Sequence, residues 1–362
     1  MTDSYEDKMT ISITNTCNIN CIYCYSNKDA HHKQVIPLNF TKIGIKDFFN
    51  THESRKIKFF GSGEPTTEID LIKNIVDYAR SISEKELELE IQTNGVFSKN
   101  TAKWLAKNFT TIYISSDGTP ETQNYYRPAK NGKPTSDILE KNLKIIQKYG
   151  NAKIAIRATI GNKNIKKQKE LIDYFKSFGV KYIWTRPIFP PPIGNNTFEQ
   201  EIVNMDLYIE EYINAKKYAD DLGIFYGSFL SCNFDSMSEH YCNATKPLPL
   251  LTTDGYVSSC DNVLFGENSD IFSFFIYGKW DKEKNIIQYS QSKINALRQR
   301  TVDNLEGCHS CSIKYQCGGH CLAEILEDTG SIYNKNESLC YGTQKLFSFM
   351  PKNISKYECR YP

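Results

Sequence analysis

Three of the chain's twelve cysteines fall on one short segment near the amino terminus. Cys17, Cys21 and Cys24 have the spacing C-x3-C-x2-C. Three thiolates on one loop can hold three irons of a 4Fe–4S cube and leave the fourth iron open to a substrate or cofactor. Zinc is the alternative, because His31 or His32 would supply the fourth ligand that a structural zinc site needs.

A repeating strand–helix pattern must position this segment. Apolar, β-branched runs predict strands at 9–14, 57–61, 87–93, 110–115, 153–160 and 180–186. Helix-period stretches lie near 39–51, 68–82, 99–108, 136–149, 166–178 and 199–222. Six βα units predict a parallel sheet with right-handed crossovers, but they are too few for a closed eight-stranded barrel. We therefore expect an α/β fold that begins as a partial (β/α)6 TIM-like barrel.

The loops after the first four strands carry the residues expected to do chemistry. In barrels of this kind the βα loops converge at the carboxyl ends of the strands. The cysteine segment follows the first strand, and unusual turns follow the next three, at 61–65, 92–95 and 115–118. A single turn with Asn-Gly or Asp-Gly is common in proteins and indicates little by itself. The prediction of a functional rim therefore depends on finding such turns one after another, after consecutive strands.

The cysteine spacing, with the aromatic Tyr23 before the third cysteine, resembles the signature of the radical S-adenosylmethionine (SAM) superfamily. The resemblance covers about residues 9–222. It implies a 4Fe–4S cluster whose open iron binds SAM. It also implies cleavage of SAM to methionine and a 5′-deoxyadenosyl radical, which removes hydrogen from an unactivated C–H bond.

The turn after the second strand resembles the Gly-Gly-Glu-Pro motif of that family. Gly63, Glu64 and Pro65 match it, and Ser62 replaces the first glycine. In the family the backbone and the glutamate of this motif hold the amino group of SAM. We expect the small serine to preserve that role.

Four further residues match positions that face the cofactor in the family. Ser115 and Asp117 resemble the fourth-strand residues that contact the methionine and ribose part of SAM. Gln92 belongs to a Gln-Thr-Asn-Gly loop that resembles the one bordering the substrate, and Arg127 lies where relatives place an arginine near the SAM carboxylate. All four are predicted cofactor-binding residues.

A second cysteine-rich region begins after about residue 230. Its spacing resembles the seven-cysteine SPASM domain, which follows radical SAM domains in related enzymes. The resemblance implies two auxiliary 4Fe–4S clusters, the nearer on Cys242, Cys260 and Cys321 and the distal on Cys308, Cys311, Cys317 and Cys340. Structural zinc is again the alternative, since C-x2-C pairs suit it. The predicted domains are 1–230 (radical SAM partial barrel), 231–345 (small cysteine-rich SPASM domain) and 346–362 (tail).

Two residues near the nearer cluster have predicted roles. Cys232 is expected to complete that cluster, as an extra upstream cysteine does in some relatives, and the alternative is a buried free thiol. Asp261 directly follows Cys260. Sulfatase maturases have an aspartate at this position, and a carboxylate beside an electron-accepting cluster can take the proton that leaves the substrate. The alternative for Asp261 is a turn or cap.

Charge and hydropathy indicate which partners and which cellular location to expect. The net charge is +2, which gives no indication of a nucleic-acid or acidic-membrane partner. No apolar run is long enough to cross a membrane, and the polar, acidic first residues are unlike a signal peptide. We therefore expect a cytoplasmic protein.

The resemblance implies a peptide or protein substrate and an electron donor such as flavodoxin or ferredoxin. Installation of a thioether or carbon–carbon crosslink in a ribosomal peptide is the leading hypothesis. Formylglycine formation by an anaerobic sulfatase maturase, oxidation of a small molecule and a non-catalytic iron–sulfur or zinc-stapled protein are the alternatives. Because Cys17 leaves no room for a leader-binding domain before the barrel, we expect peptide recognition at the rim, in the SPASM domain or on a separate leader-peptide-binding protein.

Overall fold

A computed structural model describes residues 7–24, 33–188, 199–231, 234, 237–263, 265–267 and 271–350. Within these ranges one sheet runs through the protein. Its strands are β1 (Met9–Ser12), β2 (Lys56–Phe60), β3 (Glu88–Thr93), β4 (Thr111–Ser115), β5 (Lys153–Ile160), β6 (Tyr182–Pro187), β7 (Phe225–Ser228), β8 (Leu250–Leu251), β9 (Tyr256–Ser258), β10 (Ile276–Asp281) and β11 (Ile286–Tyr289).

The first seven strands are parallel and lie side by side in chain order. The predicted fold class, a partial barrel followed by a cysteine-rich region, is confirmed. The predicted strands all form, with ends shifted by at most a few residues. The sequence pattern missed β7, which extends the parallel part by one strand.

Helices cover one face of this parallel part. The helices of the described ranges are α1 (Leu38–Thr51), α2 (Ile69–Ile82), α3 (Lys99–Asn108), α4 (Pro120–Tyr126), α5 (Ser136–Tyr149), α6 (Gln168–Lys176), α7 (Met205–Asp221), α8 (Gln291–Gln299), α9 (Lys314–Cys317), α10 (Leu322–Thr329) and α11 (Glu337–Phe349). Helix α5 shows why they pack. Leu139, Leu143 and Ile146 recur at helical spacing and are fully buried in the core. None of these helices is both long and apolar enough to cross a bilayer.

The opposite face of the parallel strands is polar. On β2, Ile57 and Phe59 enter the helix-covered core, whereas Lys58 between them points the other way. On β3, Glu90 shares this second face, where it forms an ion pair with Lys56 at 3.1 Å. Alternation along the strands therefore gives an apolar outer layer and a charged interior.

The carboxyl-terminal region continues the same sheet beyond β1. Strand β8 pairs with β1 in parallel, and β9, β10 and β11 follow as antiparallel neighbours. Leu251 of β8 stands opposite Ile11 of β1 and is fully buried. It packs so tightly on Gly44 of α1 that a Cβ atom at Gly44 would lie 2.5 Å from its Cδ1 atom. The cysteine-rich region is thus fixed to the barrel edge by backbone pairing and an apolar contact.

Leu251→Ala should destabilise the protein by about 2–5 kcal/mol, since truncation leaves a cavity at the β8–β1 junction. The measurement is urea unfolding followed by tryptophan fluorescence under anaerobic conditions. Ile286→Ala on β11 is the matched control, because that side chain is 47% exposed. Equal unfolding midpoints for the two variants would show that the buried Leu251 contact contributes no more to stability than an exposed side chain does.

Candidate functional site

The loop after β1 carries the first three thiols and is held by its backbone. The Asn20 N–H group donates to the carbonyl of Pro128 at 2.8 Å, and the Ile22 N–H group donates to that of Tyr126 at 3.0 Å. These bonds fix the loop against the carboxyl end of α4. Cys17, Cys21 and Cys24 are all half-buried on it.

The three thiols lie close enough to influence one another. Burial, which the charges of Cys24 and Cys17 reinforce and the charge of Arg127 opposes, raises the pKa of Cys21 to about 12. Burial also raises the pKa of Cys17. Such thiols do not ionise alone at neutral pH, but a positively charged iron core stabilises their thiolates. Three soft sulfur donors on one loop therefore fit the cube that the spacing predicts.

The turn after β2 is pressed against the cysteine loop. Gly63 has no space for a side chain, because a Cβ atom there would lie 2.2 Å from the Thr16 carbonyl oxygen. The Gly63 N–H group donates to Thr14 at 2.9 Å and the Glu64 N–H group to Thr16 at 2.8 Å, both through carbonyl oxygens. Pro65 then begins a 3-10 turn whose first two residues are buried. Glycine at this position is thus a condition for the close approach of the two loops.

The Glu64 side chain binds protein groups from two loops. Its Oε1 atom accepts from the Thr66 N–H group at 3.0 Å and from the hydroxyls of Thr66 and Thr93, each at 2.6 Å. Its Oε2 atom accepts from the Asn94 N–H group at 2.6 Å. Burial raises the pKa of Glu64, and these hydrogen bonds oppose the rise. The structure therefore gives this carboxylate a loop-joining role that the sequence did not predict.

Tyr23, Asp117 and Arg127 form a buried network beside the thiols. The Tyr23 hydroxyl donates to Asp117 Oδ2 at 2.5 Å, and Arg127 Nη1 donates to the Tyr23 oxygen at 2.6 Å. Asp117 Oδ1 accepts from the Thr159 N–H group at 2.9 Å. Arg127 Nε is buried and has no hydrogen-bond partner among the described residues. A buried donor of this kind suits the carboxylate of an added cofactor.

The remaining predicted cofactor residues lie on neighbouring strand ends. Ser115 ends β4, where it is half-buried and in register with Arg157 of β5. Gln92 of β3 accepts from Arg157 Nη1 through Oε1 at 2.6 Å. These side chains therefore lie on the polar interior face close to the rim.

The carboxyl-terminal thiols separate into two groups of electrostatic neighbours. One group is Cys242, Cys260 and Cys321. The other is Cys308, Cys311, Cys317 and Cys340. The structure brings together the two sets of thiols that the family resemblance implies. Cys232 lies outside the described residues.

Burial raises the pKa values of thiols in both groups. It raises the pKa of Cys242 and of Cys340 to about 11 and that of Cys317 to about 12. Left-handed glycines turn the chain between the groups, with φ of 66° at Gly318 and 78° at Gly319. No three Cys, His, Asp or Glu side chains of the described residues converge as ligands of one metal ion.

Asp261 lies between the nearer thiol group and the barrel interior. It is half-buried, and its charge acts on Cys242, on Cys260 and on Lys58 of β2. Burial, reinforced by the charges of Lys8 and Arg157, lowers the pKa of Lys58 to about 7.

The sequence prediction missed several charged interior residues. Lys58, Glu90 and Arg157 line the polar face, and Arg186 of β6 forms an ion pair with Glu324 of α10. The signal was present, because Lys-Ile-Lys and Glu-Leu-Glu repeats alternate on β2 and β3. A search for apolar runs ignores the second face of such strands.

A family model described as the radical SAM superfamily matches residues 11–175. These residues are a radical SAM domain. The match ends inside α6, so it covers the cysteine loop and the Glu64, Gln92 and Asp117 loops. A radical SAM domain implies SAM and a 4Fe–4S cluster, and the donors described above fit both.

Curated relatives extend the similarity. The chain is 34% identical to an uncharacterised protein of Methanocaldococcus jannaschii, over 48% of this chain and 60% of that protein. It is 25% identical to a cysteine-type anaerobic sulfatase-maturating enzyme of Clostridium novyi, over 95% of this chain and 94% of that enzyme. It is 22% identical to the radical SAM cyclopropyl synthase TigE of Paramaledivibacter caminithermalis, over 96% of this chain and 75% of that enzyme.

Two solved structures share the fold. One is anSMEcpe with bound AdoMet and Cp18Cys peptide, with a TM-score of 0.76 and 17% identity over 95% of this chain and 97% of that one. The other is Streptococcus suis SuiB bound to precursor peptide SuiA, with a TM-score of 0.65 and 15% identity over 93% and 76%. The radical SAM domain and the cysteine-rich region are therefore both within the aligned fold.

Arg127→Lys should weaken SAM binding about tenfold or more, because lysine lacks the planar guanidinium fork that bridges Tyr23 and offers a second donor. The measurement is equilibrium dialysis with labelled SAM on the anaerobically reconstituted protein. Arg80→Lys is the control, as Arg80 is exposed and hydrogen-bonds Asn108 on the outer surface. Unchanged SAM affinity in Arg127→Lys would remove this arginine from the cofactor site.

Proposed function

We propose that the protein is a radical SAM enzyme that oxidises a residue of a peptide substrate and forms a thioether or carbon–carbon crosslink. The observation that carries the proposal is one polar interior that extends from the first thiol loop to the nearer carboxyl-terminal thiols. Asp117 contacts Thr159 at the rim, and Arg157 lies two residues earlier on the same strand. Lys58 and Asp261 continue the charged surface toward Cys260.

The residues of the chain have distinct tasks in this proposal. Cys17, Cys21 and Cys24 hold the first cluster, while the Tyr23 and Arg127 pair orients SAM. When bound and reduced by one electron from a flavodoxin or ferredoxin, the cluster–SAM pair supplies a 5′-deoxyadenosyl radical. The apolar outer layer and the tightly joined rim loops exclude solvent from the interior.

The electrons and protons of crosslinking balance in this arrangement. Joining two substrate atoms removes two hydrogen atoms from the peptide. One leaves as a hydrogen atom and ends in 5′-deoxyadenosine. The second leaves as an electron and a proton. Cys242, Cys260 and Cys321, with Cys232 as the proposed additional ligand, would hold a cluster that can accept the electron, and the adjacent Asp261 would accept the proton. The distal set of four cysteines would hold a second cluster that can accept the electron in turn.

Two features support a peptide substrate. SuiB binds precursor peptide SuiA, and anSMEcpe binds a Cp18Cys peptide, in structures that share this fold. The interior also contains groups of both charge types, the buried Lys58 and Glu90 and the partly exposed Arg157, which suit the amide dipoles and side chains of a peptide. Where leader recognition is needed, it rests on the rim, on the cysteine-rich region or on a separate leader-binding protein.

Formylglycine formation is the second candidate. The similarity to the sulfatase-maturating enzyme of Clostridium novyi runs nearly end to end in both chains, whereas a quarter of TigE lies outside its alignment. Asp261 supports this candidate equally well, because oxidation of a cysteine or serine side chain also releases a proton. The product distinguishes the two candidates.

The test is an anaerobic reaction with SAM, dithionite and candidate peptides, analysed by mass spectrometry. We expect 5′-deoxyadenosine and a peptide that has lost two hydrogen atoms for each crosslink. Formylglycine would instead be identified by an aldehyde that reacts with a hydrazine probe, formed with loss of sulfur from cysteine or with loss of two hydrogen atoms from serine. A protein with a full complement of iron and sulfide that does not cleave SAM would refute the proposal.

Asp261→Asn should slow product formation roughly a hundredfold, while SAM cleavage continues, since only the proton acceptor is removed. Asp77→Asn is the matched control, because Asp77 is exposed on α2. Equal rates of product formation in both variants would reject Asp261 as the base.

A further inference from the structure

Arg300 is a buried cation that the proposed function does not use. It follows α8 and is only 1% exposed, among the largest fully buried side chains of the described residues. Its Nε atom donates to the Ile332 carbonyl at 3.0 Å, and Nη2 donates to the Gly319 carbonyl at 3.2 Å. The Gly319 backbone packs directly on it, because a Cβ atom there would lie 2.6 Å from Arg300 Nη1.

A buried guanidinium needs a counter-charge. Two neutral carbonyls replace part of its hydration, but burying a charge without an opposite charge nearby still costs several kcal/mol of folding free energy. No carboxylate of the described residues forms a salt bridge with Arg300. The groups that act on it electrostatically are Cys308, Cys242 and Cys317, followed by Tyr333.

These three thiols come from both carboxyl-terminal groups. Cys242 belongs to the nearer set, and Cys308 and Cys317 belong to the distal set. As neutral thiols they would leave the guanidinium without a counter-charge. As thiolates in two iron–sulfur sites they would supply negative charge on both sides of it.

We propose that Arg300 is the shared counter-charge of the two carboxyl-terminal iron–sulfur sites and sets their reduction potentials. The inference rests on the proposed assignment of clusters to these thiols. A fixed positive charge stabilises the reduced form of a site more than the oxidised form, because reduction adds one negative charge. Arg300 therefore raises both potentials and helps each site to accept an electron from the oxidised substrate.

The test is a redox titration of the reconstituted full chain, followed by electron paramagnetic resonance. The parent protein for this test is a triple variant that combines Cys17→Ala, Cys21→Ala and Cys24→Ala. In this parent only the carboxyl-terminal sites give signals. In Arg300→Gln, the ratio of reduced to oxidised form at a fixed solution potential should fall about tenfold for both sites, which is 59 mV for a one-electron couple. Arg298→Gln is the matched control, since it removes an exposed charge from the last turn of α8, two residues before Arg300.

Arg300→Lys separates charge from packing. It keeps the positive charge, so both sites should hold their iron and titrate closer to the parent than to Arg300→Gln. Parent-like potentials in Arg300→Gln would overturn the inference, as would an equal shift in Arg298→Gln. If Arg300→Gln binds no iron, the lysine variant decides, and loss of iron there as well would also overturn it. A parent without 4Fe–4S signals would instead refute the cluster assignment, which is a separate result that needs neither SAM nor peptide.

Discussion

The buried Glu64 carboxylate connects the loops on which the site depends. Its two oxygens take four hydrogen bonds, from its own turn and from the loop that follows β3. The backbone of the same turn binds Thr14 and Thr16 of the cysteine loop. A charged acceptor in a dry environment makes strong hydrogen bonds, and it is costly to leave unpaired. Three successive βα loops are thereby held in one arrangement.

This constraint gives motif residues more than one kind of role. Gly63 and Glu64 bring the thiol loop close to the rim, while the Tyr23, Asp117 and Arg127 network closes the other side of the site. The Glu64 side chain is itself engaged with Thr66, Thr93 and Asn94. Positioning by backbone contacts makes the thiols and the buried Arg127 donor part of one rigid surface.

Much of the fold was predictable from local pattern. Helices such as α3 and α5 begin and end where periodicity predicts. Strand β7 was missed because Phe-Tyr-Gly-Ser is short and interrupted by glycine, and α4 because it is short and begins with proline. The two thiol groupings came from the resemblance to the SPASM domain, because the cysteine spacing identifies the family pattern but does not by itself say which thiols share a site.

Long-range electrostatics could not be predicted in the same way. Asp261 acts electrostatically on Lys58, about two hundred residues earlier in the sequence, and the pairing of β8 with β1 brings the two regions together. Arg300 is an electrostatic neighbour of thiols from both groups, and it donates to the Gly319 carbonyl in the left-handed turn at Gly318 and Gly319. No local signal marks such contacts, since they arise only when sheet order and turn geometry are combined.

The central claim is that the cube on Cys17, Cys21 and Cys24 has one iron that binds SAM. Electron–nuclear double resonance on the reduced protein, with SAM labelled by carbon-13 in its carboxylate, tests this directly. The account predicts a carbon coupling to the cluster spin that disappears in the Cys17→Ala variant. A reduced cluster with no such coupling, or zinc in place of iron on these thiols, would contradict it.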